Sequence, residues 1–421
     1  MKKYFLYVSG LFAVALLIGI IMQHPLVYKP SALATAICLA IGLGSIPSLR
    51  GYQYTAWIIS AVVAGMIFPE AFTNWGGVNL RDKTLILVII QLVMFGMGTH
   101  MSLKDFSGLA STGKGVLVGL FCHFSIMPLM GLLLTKVFDF EPEIAAGIIL
   151  IGSCSSGLAS NVMVYLARAN LVLSVIVTAM ATLVAPILTP LLMKMLAGTL
   201  IKINFVDMML EIVKIVLVPI GAALLHDFLK RATASQKRKI YILGILSAVW
   251  IIFVVAVLQK NITDPALLQS VNLSAFFAGA VIVGLVYNLL YRKFPTLDKI
   301  MPLVSMMGII YFTTVTTAAG RENLMKVGVL LFIASVIHNA AGYFFGYWLS
   351  RLFGMDVYSS RTIAFEVGLQ NGGMASGIAG SMGKLGTVGL AAAVFSPWMN
   401  ISGSILANYW RKRPLSPEGG T

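Results

Sequence analysis

The chain has 421 residues, of which 58% are hydrophobic and only 11% are charged, and its mean hydropathy is +0.92. The core of a water-soluble protein could not bury so many apolar residues, so this composition indicates that the chain is embedded in a lipid bilayer. The net charge of +15 does not point to nucleic acid, because the basic residues are scattered in short clusters between apolar runs.

The apolar runs are continuous and helix-length, whereas the strands of a membrane barrel would be short and alternating. The sequence therefore predicts an all-α polytopic membrane protein. One crossing needs about 20 apolar residues, and this criterion predicts about fourteen transmembrane segments. In chain order they are 4–22, 32–48, 53–70, 84–100, 114–136, 143–167, 170–198, 205–228, 239–258, 270–290, 299–319, 326–352, 360–382 and 385–410.

The first segment has the basic start of a signal peptide, but no convincing small-residue cleavage site follows it, so we expect a retained helix. The orientation follows from counting Lys and Arg on alternate sides of the fourteen segments. One side collects nineteen basic residues and the other ten. Because positively charged loops stay cytoplasmic, the sequence predicts a multi-pass protein of the cytoplasmic (inner) membrane with both termini inside the cell.

The two halves of the chain resemble each other. GLLLTKVF from Gly131 is echoed by GYWLSRLF from Gly346, GLAS at 157–160 by GMAS at 373–376, and ATLVAP at 181–186 by AAVFSP at 392–397. His123 and His338 fall at the same offset. Each half would hold seven segments, an odd number, so the second copy would enter the membrane in the opposite sense. Inverted repeats of this kind build alternating-access transporters with a site near the midplane.

Two segments interrupt themselves with Gly and Ser: GSCSSGLASNVMVYLAR from Gly152 and EVGLQNGGMASGIAG from Glu366. Glycine weakens a helix by about 1 kcal/mol relative to alanine, so several glycines favour an unwound turn. At midplane depth such a turn is tolerated only where its free backbone groups line a cavity or bind something. The alternative is a small-residue face for close helix packing, which leaves Glu366, Gln370 and Asn371 unexplained.

Glu366 is the most informative residue, since every other Asp or Glu lies at a segment end or in a loop. A charge at a helix centre costs about 2.5 to 3.5 kcal/mol on insertion scales. A carboxylate beside hydroxyl and amide oxygens predicts a site for a small hard cation. The alternative is a structural Glu that reaches a neighbouring helix or the surface near Arg361. An enzyme is not expected, because only His123 and His338 are candidate partners and neither comes with a nucleophile motif.

At these segments the sequence resembles the bile acid:sodium symporter family, as a bacterial member with additional helices. The resemblance is carried by EVGLQN at 366–371 and by the SGLASNVMVYLARAN to LSVIVTAMATLVAPILTPLL region of 156–192, with weaker similarity over roughly 53–228 and 299–410. It implies an inverted-repeat transporter with a panel domain, a core domain and two crossing broken helices. The implied regions are additional N-terminal helices 1–52, first repeat core 53–198, panel helices 199–325 with an inserted helix pair 239–290, second repeat core 326–410, and cytoplasmic tail 411–421.

The resemblance also implies two sites for Na⁺ as the coupling ion. The residues of the first are Ser160, Asn161, Ser174, Thr178 and Glu366. The residues of the second are Glu366, the carbonyls of Val367 and Leu369, Gln370, and His123 at a position that is commonly Gln in the family. The histidine puts the second sodium site in doubt and admits a proton-coupled or pH-sensitive variant.

The substrate contacts implied by the resemblance are Leu158, Asn161, Asn371, Gly372 and Met399. Leu158 replaces a frequent Thr and Met399 replaces a His, so two polar contacts are lost. The predicted function is sodium-coupled import of a small organic anion, such as a bile acid, a pantoate-like acid or a keto acid. A proton-coupled carrier, and an ion channel or sensor without coupled transport, remain alternatives. The bilayer is the other expected partner, nucleic acid is not, and the sequence leaves the oligomeric state open.

Overall fold

A computed structural model describes residues 3–46, 49, 52–104 and 109–413 of the chain. This part is helical apart from one small β-hairpin, so the all-α prediction is confirmed. Ten of its helices are long and apolar enough to cross a bilayer, and the protein is a multi-pass membrane protein. Of the predicted tail 411–421, residues 414–421 lie outside the described part.

The first half of the chain contains the hairpin and the first of two broken helices. The elements are α1 (Tyr4–Ile21), α2 (Pro25–Leu43), α3 (Gln53–Ile67), a 3₁₀ helix (Pro69–Phe72), β1 (Asn74–Trp75), β2 (Val78–Asn79), α4 (Lys83–Gly98), α5 (Leu109–Phe138), α6 (Pro142–Ser153), α7 (Leu158–Leu166) and α8 (Leu171–Ala197). The strands pair antiparallel around Gly76 and Gly77, which both adopt positive φ. Glycine reaches this conformation without the steric cost of a side chain.

The second half contains two π-helical segments and the second broken helix. The elements are α9 (Phe205–Ile212), a π segment (Val213–Leu217), α10 (Val218–Arg231), α11 (Ala234–Phe253), a π segment (Val254–Leu258), α12 (Gln259–Asn261), α13 (Pro265–Lys293), α14 (Leu297–Ala319), α15 (Arg321–Leu352), α16 (Val357–Gly368), α17 (Gly372–Ser381) and α18 (Leu390–Arg411). Through the π segments, α9 continues into α10 and α11 into α12.

Each of the fourteen predicted segments overlaps a helix or a pair of half-helices, while the number that cross the membrane stays a prediction. The segments 143–167 and 360–382 are the two that break, into α6 and α7 and into α16 and α17. The largest difference in a boundary is at α2, which begins at Pro25 rather than at residue 32. Proline fits the first turn of a helix, where its missing N–H has no partner to lose, so Pro25 starts the helix earlier than expected.

Eight helices pack side by side in the order α1, α2, α3, α14, α4, α10, α13 and α11, and we call them the outer row. The predicted additional segments near 4–48 and 239–290 therefore form its two ends, with α2 against α3 and α13 against α10. The hairpin α1–α2 precedes its partner helix in the chain, whereas the hairpin α11–α13 follows its partner. The two additions thus occupy matching ends of the row through different chain connections.

The remaining helices, α5 to α8 and α15 to α18, repeat one pattern: a long helix, two half-helices and a second long helix. Half-helix α17 packs against α4 of the outer row, where Gly377 and Gly380 bring its backbone close to Ile90 and Ile86. Buried apolar side chains from both groups of helices merge into one large core cluster. The breaks of the two half-helix pairs lie inside this packing.

Candidate functional site

The two helix breaks pair with each other, and we call this pairing the crossing. The chain is extended at Cys154, after α6, and at Leu369, after α16. The amide of Gly157 donates to the carbonyl oxygen of Leu369 at 2.9 Å, and the amide of Asn371 donates to the carbonyl oxygen of Ser155 at 2.8 Å. Ser156 and Gln370 form the antiparallel bridge between these bonds. Each break therefore satisfies backbone groups that the other break leaves free.

Glycine allows the close approach of the two breaks. A side-chain carbon at Gly157 would lie 3.0 Å from the carbonyl oxygen of Gln370. The predicted unwound turns are thus present, and their glycine serves contact between the repeats. The antiparallel sense of the pairing is the one that an inverted repeat produces.

The carboxylate of Glu366 is fully buried beside the crossing and accepts three hydrogen bonds from hydroxyl groups. Ser174 donates to Oε1 at 2.5 Å, and Ser156 and Thr178 donate to Oε2 at 2.7 and 2.9 Å. Ser156 belongs to the first break, Ser174 and Thr178 to one face of α8, and Glu366 to α16. The cluster therefore joins the two repeats.

The amide oxygen of Asn161 adds another acceptor to the cluster. It lies 2.7 Å from the hydroxyl of Ser174 and 3.3 Å from that of Thr178, while Ser160 donates to the carbonyl oxygen of Gly157 at 2.8 Å. A hydroxyl carries one hydrogen, so Ser174 cannot donate to Asn161 and Glu366 at once, and neither can Thr178. Five oxygen–oxygen contacts to Glu366 and Asn161 therefore share three hydroxyl hydrogens, so two contacts bring oxygens together without a hydrogen between them, which is the chemistry of a cation site.

No Lys or Arg of the described residues forms an ion pair with Glu366. Arg361 instead donates to the carbonyl oxygen of Arg413 and lies over the ring of Trp410, at 5.4 Å from its centroid. The alternative of a Glu366 near the surface beside Arg361 is therefore wrong. An unpaired buried charge costs several kcal/mol, and a cation among these oxygens would remove that cost.

The donor set suits a small hard cation. It consists of one carboxylate, hydroxyls and an amide oxygen, which are the ligands that hard cations prefer. No group of three His, Cys, Asp or Glu side chains within the described ranges is arranged to hold a metal ion. The five residues predicted for the first sodium site, Ser160, Asn161, Ser174, Thr178 and Glu366, are thus brought together, and the oxygens fit Na⁺.

The residues predicted for the second sodium site do not form an open oxygen cage. The carbonyl oxygen of Val367 accepts from the side chain of Gln370 at 2.6 Å, and that of Leu369 accepts from Gly157. His123, on α5, is fully buried with Nδ1 2.9 Å from the carbonyl oxygen of Glu366 and Nε2 2.7 Å from that of Cys154. The imidazole thus occupies the space between two carbonyl oxygens of the broken helices.

The predicted substrate residues surround the start of the two inner half-helices. Leu158 and Gly372 are the first residues of α7 and α17, and the Sδ of Met399 accepts from the amide of Gln370 at 3.3 Å. Asn371 caps α17 by accepting from the amide of Met374 at 3.0 Å, while its own Nδ2 is buried without a hydrogen-bond partner among the described residues. Two positive helix ends and an unused donor converge here, which is the chemistry of an anion site.

Two contributors to the site were not predicted. Ser156 donates directly to Glu366, and the carbonyl oxygen of Cys154 contacts His123. Ser156 had a sequence signal, because in GSCSSG it is the last serine before Gly157, the residue that precedes α7. The contact of Cys154 is made by its main chain and has no signal in the residue type.

Comparison with known proteins relates the chain to sodium-dependent transporters. The profile of the Sodium Bile acid symporter family matches residues 86–264. An uncharacterized sodium-dependent transporter of Bacillus subtilis is 30% identical over 89% of this chain and 96% of its own length. The chloroplastic probable sodium/metabolite cotransporter BASS1 of Arabidopsis thaliana is 27% identical over 85% and 73%. The human ileal sodium/bile acid cotransporter is 29% identical over 73% and 72%.

Proposed function

The chain belongs to the sodium bile acid symporter family, a family of transporters rather than enzymes, and we propose that it imports a small organic anion together with Na⁺ by alternating access. The observation that carries the proposal is the buried carboxylate of Glu366, which lies among hydroxyl and amide oxygens and forms no ion pair with any residue in the described part of the chain. Sodium-dependent relatives agree with this chemistry.

Sodium binds, in this proposal, at Glu366, Ser174, Thr178, Asn161 and Ser160. Glu366 belongs to α16 of the second repeat, and the other four residues belong to α7 and α8 of the first repeat. The ion would therefore neutralise a carboxylate of one repeat that is surrounded by oxygens of the other. Because sodium would bind the folded state and not the unfolded chain, binding would raise the free energy of unfolding and so stabilise the crossing. The ion thereby holds α7 against α16 and fixes the neighbouring starts of α7 and α17.

The organic anion binds next to the sodium, at the helix starts marked by Leu158, Asn161, Asn371 and Gly372. The positive ends of α7 and α17 and the Nδ2 of Asn371 would receive its carboxylate or sulfonate. Met399 and Leu158 supply an apolar wall, which favours an amphipathic anion such as a bile acid over a small hydroxy or keto acid. The occupied sodium site adds positive charge beside the anion and so couples the two ligands.

The two groups of helices supply the moving parts of this carrier. We assign the outer row to the panel domain and helices α5 to α8 and α15 to α18 to the core domain that holds both ligands. Alternating access would then be a movement of the core against the row, along contacts such as those of α17 with α4. In this proposal both termini lie in the cytoplasm and the protein lies in the inner membrane, which the basic-residue count supports.

The experiment that tests the proposal is ²²Na⁺ uptake into proteoliposomes, measured with taurocholate, pantoate or pyruvate outside and with K⁺ as the replacement cation. Co-transport predicts that at least one anion accelerates ²²Na⁺ uptake and that sodium, in turn, drives accumulation of that labelled anion. Sodium flux that no anion changes would indicate a channel and contradict the proposal. Anion uptake that ignores sodium and follows an imposed pH gradient would indicate a proton-coupled carrier.

The proton-coupled carrier is the second candidate because of His123. Its two ring nitrogens both face carbonyl oxygens, at 2.9 and 2.7 Å, and a neutral imidazole has only one N–H to donate. A doubly protonated ring would satisfy both oxygens and would place a positive charge beside Glu366. This candidate would be favoured if transport did not depend on sodium and if His123→Gln abolished its dependence on pH.

A further inference from the structure

A groove of about 740 Å³ lies in the outer row, away from the crossing. It is bounded by α4, by α10 and the π segment before it, and by α12, α13 and α14, so the helix pair inserted after α10 forms one of its walls. On α4 the groove is lined by Val88, Gln91, Leu92 and Phe95, whereas α17 packs on the face that carries Ile86 and Ile90. The groove and the proposed transport site therefore lie on opposite faces of the row.

The groove opens toward the surface of the helix bundle that faces lipid. Its wall residues Val88, Leu92 and Val283 are 56%, 45% and 50% exposed, although all three are aliphatic. In a bilayer, such side chains contact acyl chains. An occupant can thus enter from the side and leave part of itself in the membrane.

Among the described residues, one charged side chain lines this apolar groove. Lys214 lies in the π segment between α9 and α10, within the predicted segment 205–228. Its Nζ forms an ion pair with Glu211 at 2.6 Å and lies 5.8 Å from the ring centroid of Phe276, while its carbonyl oxygen accepts from the side chain of Gln91 at 3.1 Å. An ammonium group carries three hydrogens, so Lys214 keeps donors for a ligand beyond Glu211. Charged residues at membrane depth and π segments both concentrate at functional sites.

The polar and apolar parts of the groove lie at opposite ends. Gln259 and Asn272 are joined by a 2.9 Å hydrogen bond in the first half of α13, and Lys214 lies over the ring of Phe276, which is one turn further along that helix. The other end is lined by Phe95, Tyr287 and Met301. Asn272 and Tyr287 are about 22 Å apart along α13 at the helical rise of 1.5 Å per residue, more than the roughly 15 Å of hydrocarbon in one leaflet. The groove therefore has room for an acyl chain below a polar headgroup.

We propose that this groove binds one anionic phospholipid of the bilayer, with its phosphate at Lys214 and one acyl chain along α13. The ammonium of Lys214 is paired with Glu211, and its remaining hydrogens favour the oxygens of an anionic headgroup as acceptors, while the amides of Gln259 and Asn272 supply polar contacts beside it. With the termini in the cytoplasm, α13 begins on the outer side, so the lipid comes from the outer leaflet of that membrane. The proposal uses neither the sodium cluster nor the crossing, and it is independent of the transported solute.

The experiment is native mass spectrometry of the delipidated, folded full-length protein titrated with phosphatidylglycerol in mild detergent, with phosphatidylcholine as the neutral-headgroup comparison. Lys214→Gln removes the charge, and Gly279→Leu fills the groove at a position where a side chain meets no atom within 4 Å. The matched control is Gly221→Leu on α10, which has the same open surroundings but does not line the groove. All variants are compared by thermal melting to show that they fold.

The expected result is one phosphatidylglycerol per chain for the wild type and Gly221→Leu, and binding weakened about tenfold or more in Lys214→Gln and Gly279→Leu. Equal binding by all four proteins would overturn the proposal, as would equal affinity for the two lipids. A protein dimer that excludes lipid and is disrupted by Gly279→Leu would also overturn it, because a second copy would then cover the groove.

Discussion

His123 Nδ1 lies 2.9 Å from the main-chain carbonyl oxygen of Glu366, the residue whose carboxylate forms the centre of the oxygen cluster. The Nε2 of the same ring lies 2.7 Å from the carbonyl oxygen of Cys154. One side chain of α5 thus contacts both broken helices, and it does so at the main chain of Glu366 rather than at the carboxylate. Two environments meet at Glu366: a carbonyl oxygen contacted by an imidazole, and a buried carboxylate contacted by three hydroxyl groups.

Glu366→Gln should abolish stabilisation by sodium. The amide keeps the size of the side chain but removes the charge that a cation would neutralise. At a sodium concentration of a hundred times Kd, binding adds about 2.7 kcal/mol to the free energy of unfolding, and this increment should vanish in the variant. The measurement is thermal unfolding in detergent with Na⁺ exchanged for K⁺ at constant ionic strength.

The same series has a second expected outcome. In K⁺ alone the variant should melt above the wild type, because it no longer buries an unpaired carboxylate. A wild type that melts at the same temperature in both ions, while remaining folded, would contradict the assignment of Glu366 as a sodium ligand.

Ser174→Ala should weaken sodium binding while the protein stays folded. Ser174 contacts both Glu366 and Asn161, at 2.5 and 2.7 Å, so its hydroxyl serves two members of the cluster. Loss of one contact to a charged group costs about 1.5 to 3 kcal/mol, which corresponds to roughly 10- to 150-fold in Kd. Sodium titration followed by isothermal calorimetry measures the change.

Thr182→Val is the matched control for Ser174→Ala. Thr182 lies on the same helix one turn beyond Thr178, is buried, and donates to the carbonyl oxygen of Thr178 at 2.8 Å. It makes no contact with Glu366 among the hydrogen bonds of the described residues. Sodium affinity that falls equally in both variants would show a general effect on α8 instead of the loss of a ligand.

The sequence predicted the elements of the site better than their contacts. Glycine-rich interruptions located both breaks, and the buried charge of Glu366 located the cluster, because each is a local departure from an apolar pattern. The offset between the repeats placed His123 and His338 at matching positions, but it did not show which backbone atoms each ring reaches. His123 was expected as a cation ligand, whereas its distances are set by packing of α5 against the crossing.

For the outer row, too, the sequence predicted the helices but not the contacts between them. The length of the apolar runs located the additional helices near 4–48 and 239–290, since each is apolar enough for a crossing. Their packing on α3 and α10 depends on side-chain shape across helices distant in sequence, which a single apolar pattern does not encode. Lys214 lies within the predicted segment 205–228, and its place in the groove is seen in the structure and not in the sequence.

Asn371→Asp should remove binding of the organic anion and preserve sodium binding. The carboxylate can still cap α17, since Asp is as good an N-cap as Asn, and its charge is favourable at a helix start. The unpartnered Nδ2 donor is lost, and a negative charge takes its place. We expect the anion-dependent rise in melting temperature at saturating sodium to disappear, while the sodium-dependent rise remains. Unchanged anion affinity would contradict the placement of the anion at α17.

His123→Gln should convert transport that ignores the membrane potential into transport that responds to it. In the wild type, the imidazole lies between the two carbonyl oxygens, so of the two predicted sodium sites we expect the Glu366 cluster alone to bind the ion. One sodium with a monoanion moves no net charge, and a tenfold sodium gradient then supplies about 1.4 kcal/mol. A second sodium adds about 1.4 kcal/mol and one net charge, worth about 2.3 kcal/mol per 100 mV, for a total of roughly 5 kcal/mol.

The measurement is uptake of the organic anion into proteoliposomes at potentials imposed with valinomycin and K⁺ gradients. The matched control is His338→Gln, the counterpart in the second repeat, whose Nε2 contacts the carbonyl oxygen of Met127 at 3.0 Å and not Glu366. We expect voltage dependence, and a steeper dependence on sodium concentration, in His123→Gln but not in His338→Gln. Voltage-driven uptake by the wild type would mean that a second cation already moves with the substrate. That result would contradict the prediction that the imidazole of His123 prevents binding of a second sodium ion.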